Sequence, residues 1–414
     1  MPSEPSTTSE LDAGTLACEL RQLSPQQANY ATAFVERLLA TACARAVSDI
    51  HLTPASDGLV ANWRVNGVLE PIGLFSPGVQ SDVVARLKVL ADLLTYRQEI
   101  PQEGRLRVPI AGLEMRVSTF PTLFGERAVV RIFRRTHELE TLAELQLPGD
   151  LLAALRLRLA QTQGAIVITG PAGSGKTTTA YACLRELLSG PLTRSIVTLE
   201  DPIEAVLSGV AQSAMQPAAG FDFATALRSV LRQDPEVILV GEVRDRETAL
   251  AAFQAALTGH LVLTTFHAGS AATALSRFSD MGIEPYLLRS GIQAIIGQRL
   301  VRRLCSCAVS AATTEALLGR HLPGLKQPVG CAICGKSGYQ GRLVLAEMLP
   351  PLVDDLGREL LIRADAPRLD ATARCAGMIS LGQRAVVSLQ AGQTSAAEVL
   401  RVLGHYDSNL PTDL

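Results

Sequence analysis

The sequence predicts an α/β protein: a parallel sheet packed between helices and carrying a phosphate-binding loop, preceded by a smaller α+β domain. Three observations predict it. Four short aliphatic runs, "AIVIT", "SIVTL", "VILV" and "LVLTT", alternate with helical segments, as buried parallel strands do. The first run leads straight into "GPAGSGKTTTA", a glycine-rich turn that opens a helix. The chain before residue 135 instead alternates apolar and polar residues around Asn66-Gly67, a strong hairpin signal.

Composition narrows the class. The chain has 414 residues, so two or more domains are expected. It is 47% hydrophobic but only 4% aromatic, which points to a large aliphatic core. The net charge of -2 gives no bulk electrostatic reason to expect nucleic acid or acidic lipid as the main partner. Every apolar run stops short of the length needed to span a membrane. The start, "MPSEPSTTSELDAG", lacks the basic and apolar regions of a signal peptide. A cytoplasmic protein, peripheral at a membrane, is the expectation. The chain's eight cysteines then argue against a disulfide framework, and Cys305, Cys307, Cys331 and Cys334 suggest a metal site.

In chain order, residues 1–25 are polar and expected to be a disordered tail leading through a short helix. Residues 26–135 form the α+β domain. "PQQANYATAFVERLLATACARAVSDIHL" is a helix ending in a strand, and "GLVANWRVNGVLEPI" is a hairpin. "VVARLKVLADLL" has helical period, and "GRLRVPIAGLEMRVSTFPTLFGERAVVRIF" reads as two or three strands. Residues 136–150 are charged and read as a linker. Residues 151–414 form the parallel-sheet domain, with a Cys-bearing insert at 304–341 and a helical C-terminal region.

The glycine-rich turn fits G-x-x-x-x-G-K-[ST] and spans Gly170, Pro171, Ala172, Gly173, Ser174, Gly175, Lys176, Thr177 and Thr178. Such a loop turns backbone N–H groups inward as an anion nest, and the helix N-terminus adds positive charge. Lys176 then reaches the β- and γ-phosphates and the Thr177 hydroxyl coordinates magnesium. Hydrolysis also needs carboxylates. "TLEDPIEA" offers Glu200, Asp201 and Glu204, and "VILVGEVRD" offers Glu242. Both clusters follow strands, and ligands of open α/β sheets bind at the C-terminal strand ends. One acid can hold the magnesium or its water, and another can orient or deprotonate the attacking water. "TGHLVLTTFHAGSA" places His260 and His267 at the two ends of one strand, and its "TTFH" suits a γ-phosphate sensor.

These motifs together resemble the secretion ATPase superfamily of type II secretion and type IV pilus assembly, from about Ala44 to Leu403. Walker A, an Asp box like "TLEDPIE", a Walker B ending like "LVGEVRD" and a His box like "TGHLVLTTFHA" occur in the family's order. "SDIHL", "RVNGVL" and "PQEGRLRV" resemble its N2 domain. The resemblance implies a RecA-like P-loop motor domain behind an N2-like domain, working on ATP and Mg2+. It makes Glu204 the general base, Glu242 the Walker B acid, and His260 and His267 the His-box pair. Arg105 and Arg116 match N2 arginines that reach the nucleotide. It implies a homohexamer working on an inner-membrane platform protein and pilin-like subunits, with no nucleic acid partner. The four cysteines match a zinc element, although "LCSCAV" is C-x-C where the family has C-x-x-C. They favour the secretion or assembly branch over retraction motors. The His box reads "HAGSA" where that branch more often has His-Thr-Asn, and little precedes the N2-like region. A nucleic-acid translocase on the same fold, or a nucleotide-dependent scaffold without turnover, are the rival readings.

Overall fold

The computed structural model describes residues 13–45, 47–76, 79–108, 113–134, 141–311, 315–317 and 320–404. The expectations for residues 1–12, 136–140 and 405–414 lie outside the described residues. The chain divides into two units. The first comprises Met1–Thr136, Cys305–Cys307 and Pro328–Gly341; the second comprises His137–Leu304, Ala308–Gln327 and Arg342–Leu414.

The first unit runs α1 (Ala13–Arg21), α2 (Tyr30–Ala44), β1 (Asp49–Ala55), β2 (Gly58–Val65), β3 (Val68–Phe75), α3 (Gln80–Leu90), β4 (Gln102–Arg105), β5 (Leu113–Thr122) and β6 (Gly125–Arg134). Its six strands pair in the order β3-β2-β1-β6-β5-β4, and the paired neighbours are antiparallel. Val65 faces Val68 across a two-residue turn, with Asn66 at φ 48° and Gly67 at φ 80°. Both central residues need positive φ, which Asn-Gly supplies. One face of the sheet is apolar. Ile50, Leu52, Ala61, Val117 and Val130 pack there with Phe34 and Leu38 of α2 and Val83 and Leu87 of α3. Trp63 is fully buried in the same core. The Arg45 guanidinium lies 4.9 Å from its ring centroid, and its Nε1 donates to Glu70 Oε2 at 3.3 Å. Lys88 is also fully buried, but its ammonium donates to both Glu126 oxygens at 2.8 and 2.9 Å and to the Arg97 carbonyl at 2.7 Å. Three acceptors make that buried charge tolerable.

The tail expectation is corrected in part. Ala13–Arg21 is helix, and Leu16, Ala17 and Leu20 are buried in the first unit's core. Their apolar spacing gives the segment a face to bury.

The second unit begins with α4 (Gly149–Leu159), β7 (Gly164–Thr169), α5 (Lys176–Leu188), β8 (Ile196–Glu200), β9 (Ala211–Ala214), α6 (Phe223–Val230), β10 (Val237–Val240), α7 (Arg246–Leu257), β11 (Leu261–Phe266), α8 (Ala271–Asp280), α9 (Pro285–Gly291) and β12 (Ile292–Leu304). Short strands β13 (Val309–Ser310), β14 (Glu315–Leu317), β15 (Arg320–Leu322) and β16 (Lys326–Gln327) follow. The chain then forms β17 (Tyr339–Met348), α10 (Asp354–Leu361), α11 (Ala366–Cys375), α12 (Leu381–Gln390) and α13 (Ala396–Leu403). The large sheet has the order β17-β12-β7-β11-β10-β8-β9, and β12 through β9 pair in parallel. The four aliphatic runs are β7, β8, β10 and β11, and β7, β10 and β11 are buried along their whole length. Helices cover both faces, so successive residues enter different cores. Ala165 and Val167 pack with α6 to α11, whereas Ile166 and Ile168 pack with α4 and α5.

Two boundaries differ from expectation. Leu142 and Leu147 are buried among α4 and α5, so residues 141–148 belong to the second unit's core and not to a free linker. Their leucines lie among charges that masked them. The Cys-bearing segments Cys305–Cys307 and Pro328–Gly341 group with the first unit, not with the parallel-sheet domain. Among the described residues no helix is long and apolar enough to cross a membrane.

Candidate nucleotide site and cysteine cluster

The phosphate loop leaves the C-terminal end of β7 at Gly170 and enters α5 at Lys176. Its glycines are required by geometry. A Cβ on Gly170 would lie 2.4 Å from Ser174 Oγ and 2.6 Å from the Gln298 carbonyl. Gly175, the residue before the helix, has φ 87°. The Lys176 ammonium curls over the loop and donates to the Gly170 and Pro171 carbonyls, each at 2.9 Å. Burial pushes its pKa down, while the Glu242 and Glu204 carboxylates oppose that shift.

The acids differ in environment. Glu204 is pushed above the usual carboxylate range, chiefly by burial and also by Glu200, with the Thr177 hydroxyl and Lys176 opposing. Glu242, just past β10, pairs with Arg244 and stands 3.4 Å from His267 Nε2. His267 is held below the ordinary histidine range by burial and by Lys176, with Glu242 opposing. The backbone around His267 is pinned. The Ala268 N–H donates to Thr169 Oγ1 at 3.1 Å, Arg277 donates to the His267 carbonyl, and Arg299 donates to the Gly269 carbonyl. Lys176, Thr177, Glu204, Glu242 and His267 therefore come together at one edge of the sheet.

Two expected residues, Glu200 and His260, do not join them as free groups. Glu200 is buried, and its carboxylate accepts from the Tyr181 hydroxyl, from Thr198 Oγ1 at 2.6 Å and from Gln212 Nε2 at 3.1 Å. These bonds occupy it in holding structure. The Ala205 N–H donates to the Tyr181 hydroxyl at 3.4 Å, and Gln212 Nε2 donates to the Ala205 carbonyl at 2.9 Å. Glu200 thus steadies the loop that carries Glu204. Asp201, beside it, is exposed. His260 precedes β11 at its N-terminal end, where its Nδ1 lies 3.0 Å from the Ala255 carbonyl. Six strand residues then separate it from the phosphate-loop edge, roughly 20 Å at the usual rise. In a parallel sheet the two ends of a strand serve different edges, and His260 has the wrong one.

The sequence reading missed Gln298. Its Nε2 donates to the Ser174 carbonyl at 2.8 Å, and its Oε1 accepts from Thr179 Oγ1 at 3.1 Å. It braces the phosphate loop against α5. The available signal was a lone amide following the apolar half of "IQAIIGQRLVRRL".

In the first unit, Arg105 and Arg116 stand opposite each other across β4 and β5. Like charges in that register repel, and Glu114 answers both, at 3.7 and 3.3 Å. Arg116 also lies 5.5 Å from the Phe133 ring centroid.

The same unit gathers four thiols. Cys305 and Cys331 Sγ are 3.8 Å apart, Cys331 and Cys334 3.8 Å, and Cys307 and Cys334 3.9 Å; all four lie within 4.8 Å of one another. A regular tetrahedron with Zn–S bonds of about 2.3 Å has edges of about 3.8 Å. The cluster therefore fits one tetrahedral ion, and the C-x-C spacing does not prevent it. Burial raises the Cys334 thiol, but N–H groups of Cys331 and Gly338 at 3.1 and 3.2 Å outweigh it and bring the pKa to about 6. A thiolate is the form a metal takes.

An anion cradle bordered by the carboxylates of Glu204 and Glu242 is suited to cleaving a nucleoside triphosphate, and its place on the parallel sheet defines a P-loop ATPase with a RecA-like motor domain. Solved structures agree on that fold. The ATPase DotB of Legionella pneumophila superposes with a TM-score of 0.63 at 23% identity, covering 91% of this chain and 96% of that one. The pilus retraction motor PilT gives 0.59 at 23% identity, covering 91% and 97%. The family model described as type II/IV secretion system protein matches residues 26–401, and the chain belongs to that family. The type II secretion system protein HxcR of Pseudomonas aeruginosa is 39% identical over 372 residues, spanning 89% of this chain and 76% of the relative. The type IV pilus assembly ATPase PilB of Thermus thermophilus is 34% identical, spanning 89% and 42%.

Proposed function

We propose that this protein is a hexameric ATPase that drives assembly of a pseudopilus or type IV pilus from the cytoplasmic face of the inner membrane. Membership of the type II/IV secretion family supports the pathway class, and relatives named for type II secretion and for type IV pilus assembly support both outcomes. The observation that carries hydrolysis is the meeting of Glu204 and Glu242 with Lys176 beside the phosphate loop.

In this reading the loop N–H groups and Lys176 hold the phosphates. Thr177 and Glu242 hold magnesium, which supplies charge neutralisation at the phosphate oxygens. Glu204 takes a proton from the attacking water as the bond to the γ-phosphorus forms and the bond to the leaving ADP oxygen breaks. Glu242 and His267 orient the transferring group. Arg105 and Arg116 stabilise charge on it, and the four thiolates of the first unit hold a structural zinc. An inner-membrane platform protein receives the motion.

The test is steady-state phosphate release beside fluorescent-nucleotide binding in Glu204→Gln. Binding should persist and turnover should fall by roughly 10²-fold or more. The base works only when deprotonated, and burial raises its pKa. Wild-type turnover should therefore fall with decreasing pH through a value above the usual carboxylate range, and this acid limb should vanish in the variant. Wild-type turnover in Glu204→Gln would remove it from the mechanism.

A further inference from the structure

Glu347 sits in β17, inside the apolar run "LVLAEML", and is fully buried. Its Oε1 accepts from the Ala271 N–H at 2.9 Å, and its Oε2 accepts from the Leu381 N–H at 3.0 Å. Ala271 is the first residue of α8 and Leu381 the first of α12. One carboxylate thus meets the unpaired N–H groups and positive ends of two helices. Neither helix depends on it for an ordinary cap. The Thr273 N–H donates to Ser270 Oγ at 3.1 Å, and Ser380 forms a capping box with Gln383. A buried carboxylate is costly, so its presence on helices already capped calls for another role.

Its surroundings indicate which. Gly297 of β12 leaves the space: a Cβ there would lie 2.8 Å from Glu347 Oε1 and 3.0 Å from the Ala271 nitrogen. The next residue, Gln298, braces the phosphate loop, and the one after, Arg299, holds the Gly269 carbonyl. The backbone from His267 to Ala271 is therefore gripped by Thr169, Arg277, Arg299 and Glu347 in succession. Glu347 is the member of that set that also holds the C-terminal helix α12.

We propose that Glu347 is a positioning residue for hydrolysis: by fixing the start of α8 it sets His267 against Glu242 and the phosphate loop, and through α12 it ties that turn to the C-terminal helices. The proposal rests on the reading of His267 as a group that orients the transferring phosphoryl.

The test combines kcat, fluorescent-nucleotide affinity and thermal stability for Glu347→Gln, His267→Ala, the double variant and Ser380→Ala. The amide of Glu347→Gln can accept from only one helix, so kcat should fall by about 10- to 100-fold with affinity unchanged, the scale of a small misplacement. Ser380→Ala weakens α12 at its own cap and should lower stability while keeping kcat. In the double variant Glu347→Gln should cost nothing beyond His267→Ala, because a residue acting through the histidine has nothing left to position. Normal turnover in His267→Ala would sink the reading of the histidine itself. A slow His267→Ala beside a normal Glu347→Gln, or full additivity of the two, would sink the positioning role alone. Should Glu347→Gln fail to fold, Gly297→Ala crowds the same carboxylate while leaving its charge. It should give the same split between kcat and affinity, and unchanged turnover there would overturn the proposal.

Discussion

In the antiparallel sheet of the first unit, charge runs across a face: Arg105 stands opposite Arg116, Arg116 opposite Arg131, and Arg131 opposite Asp49. In the parallel sheet of the second unit, β7, β10 and β11 carry no exposed position, and Glu204, Glu242 and His267 lie beyond the strand ends. The difference follows from what covers each sheet. A sheet with helices on one side keeps a solvated face for arginines in register, whereas helices on both sides leave only the edges. On a face, neighbours in register fix where a charge stands. At an edge, irregular loops fix it, and two glutamates four residues apart can end in different roles.

Three experiments would break or sharpen this contrast. The largest effect is expected on the face. If Arg105 and Arg116 act on the transferring phosphoryl group, Arg105→Ala or Arg116→Ala should cost on the order of 10³-fold in turnover with little change in nucleotide affinity. Unchanged phosphate release would reduce the row to solubility and mutual screening.

A smaller effect is expected at the cysteines. Purified protein should carry about one zinc per chain by elemental analysis, and Cys331→Ser should lose the metal together with local stability in the first unit. Active, metal-free wild type would leave four reduced thiols and no more.

The smallest effect is expected at the opposite edge of the parallel sheet. His260→Ala should leave hydrolysis as it is in wild type, since the side chain faces Ala255 and not the phosphate loop. A marked loss in phosphate release would mean that position along the strand does not decide function.

Much of this was legible in residue order. Continuous aliphatic runs gave β7, β8, β10 and β11 because strands buried on both faces need apolar residues at every position. Asn66-Gly67 gave the hairpin because few other pairs tolerate its φ values. The phosphate loop was legible for the same kind of reason, a backbone that only glycine can follow. What escaped depended on direction in space. "IQAIIGQRLVRRL" was not read as β12 because its second half carries Gln298 and three arginines, all on one long strand. Glu200 and Glu204 share a motif, and the Tyr181, Thr198 and Gln212 contacts of Glu200 distinguish the structural acid from the one beside the phosphate loop. Glu347 resembles a stray surface charge until two helix starts are placed beside it.

Trp63 has an optical consequence. It is the chain's single tryptophan, and it lies wholly inside the first unit, against Arg45 and Glu70. Indole emission therefore reports the melting of that unit alone, while far-ultraviolet circular dichroism sums the helices and strands of both. Followed side by side, the two signals separate the unfolding of the first unit from that of the ATPase domain without any added label, and coincident midpoints would mark a single cooperative transition.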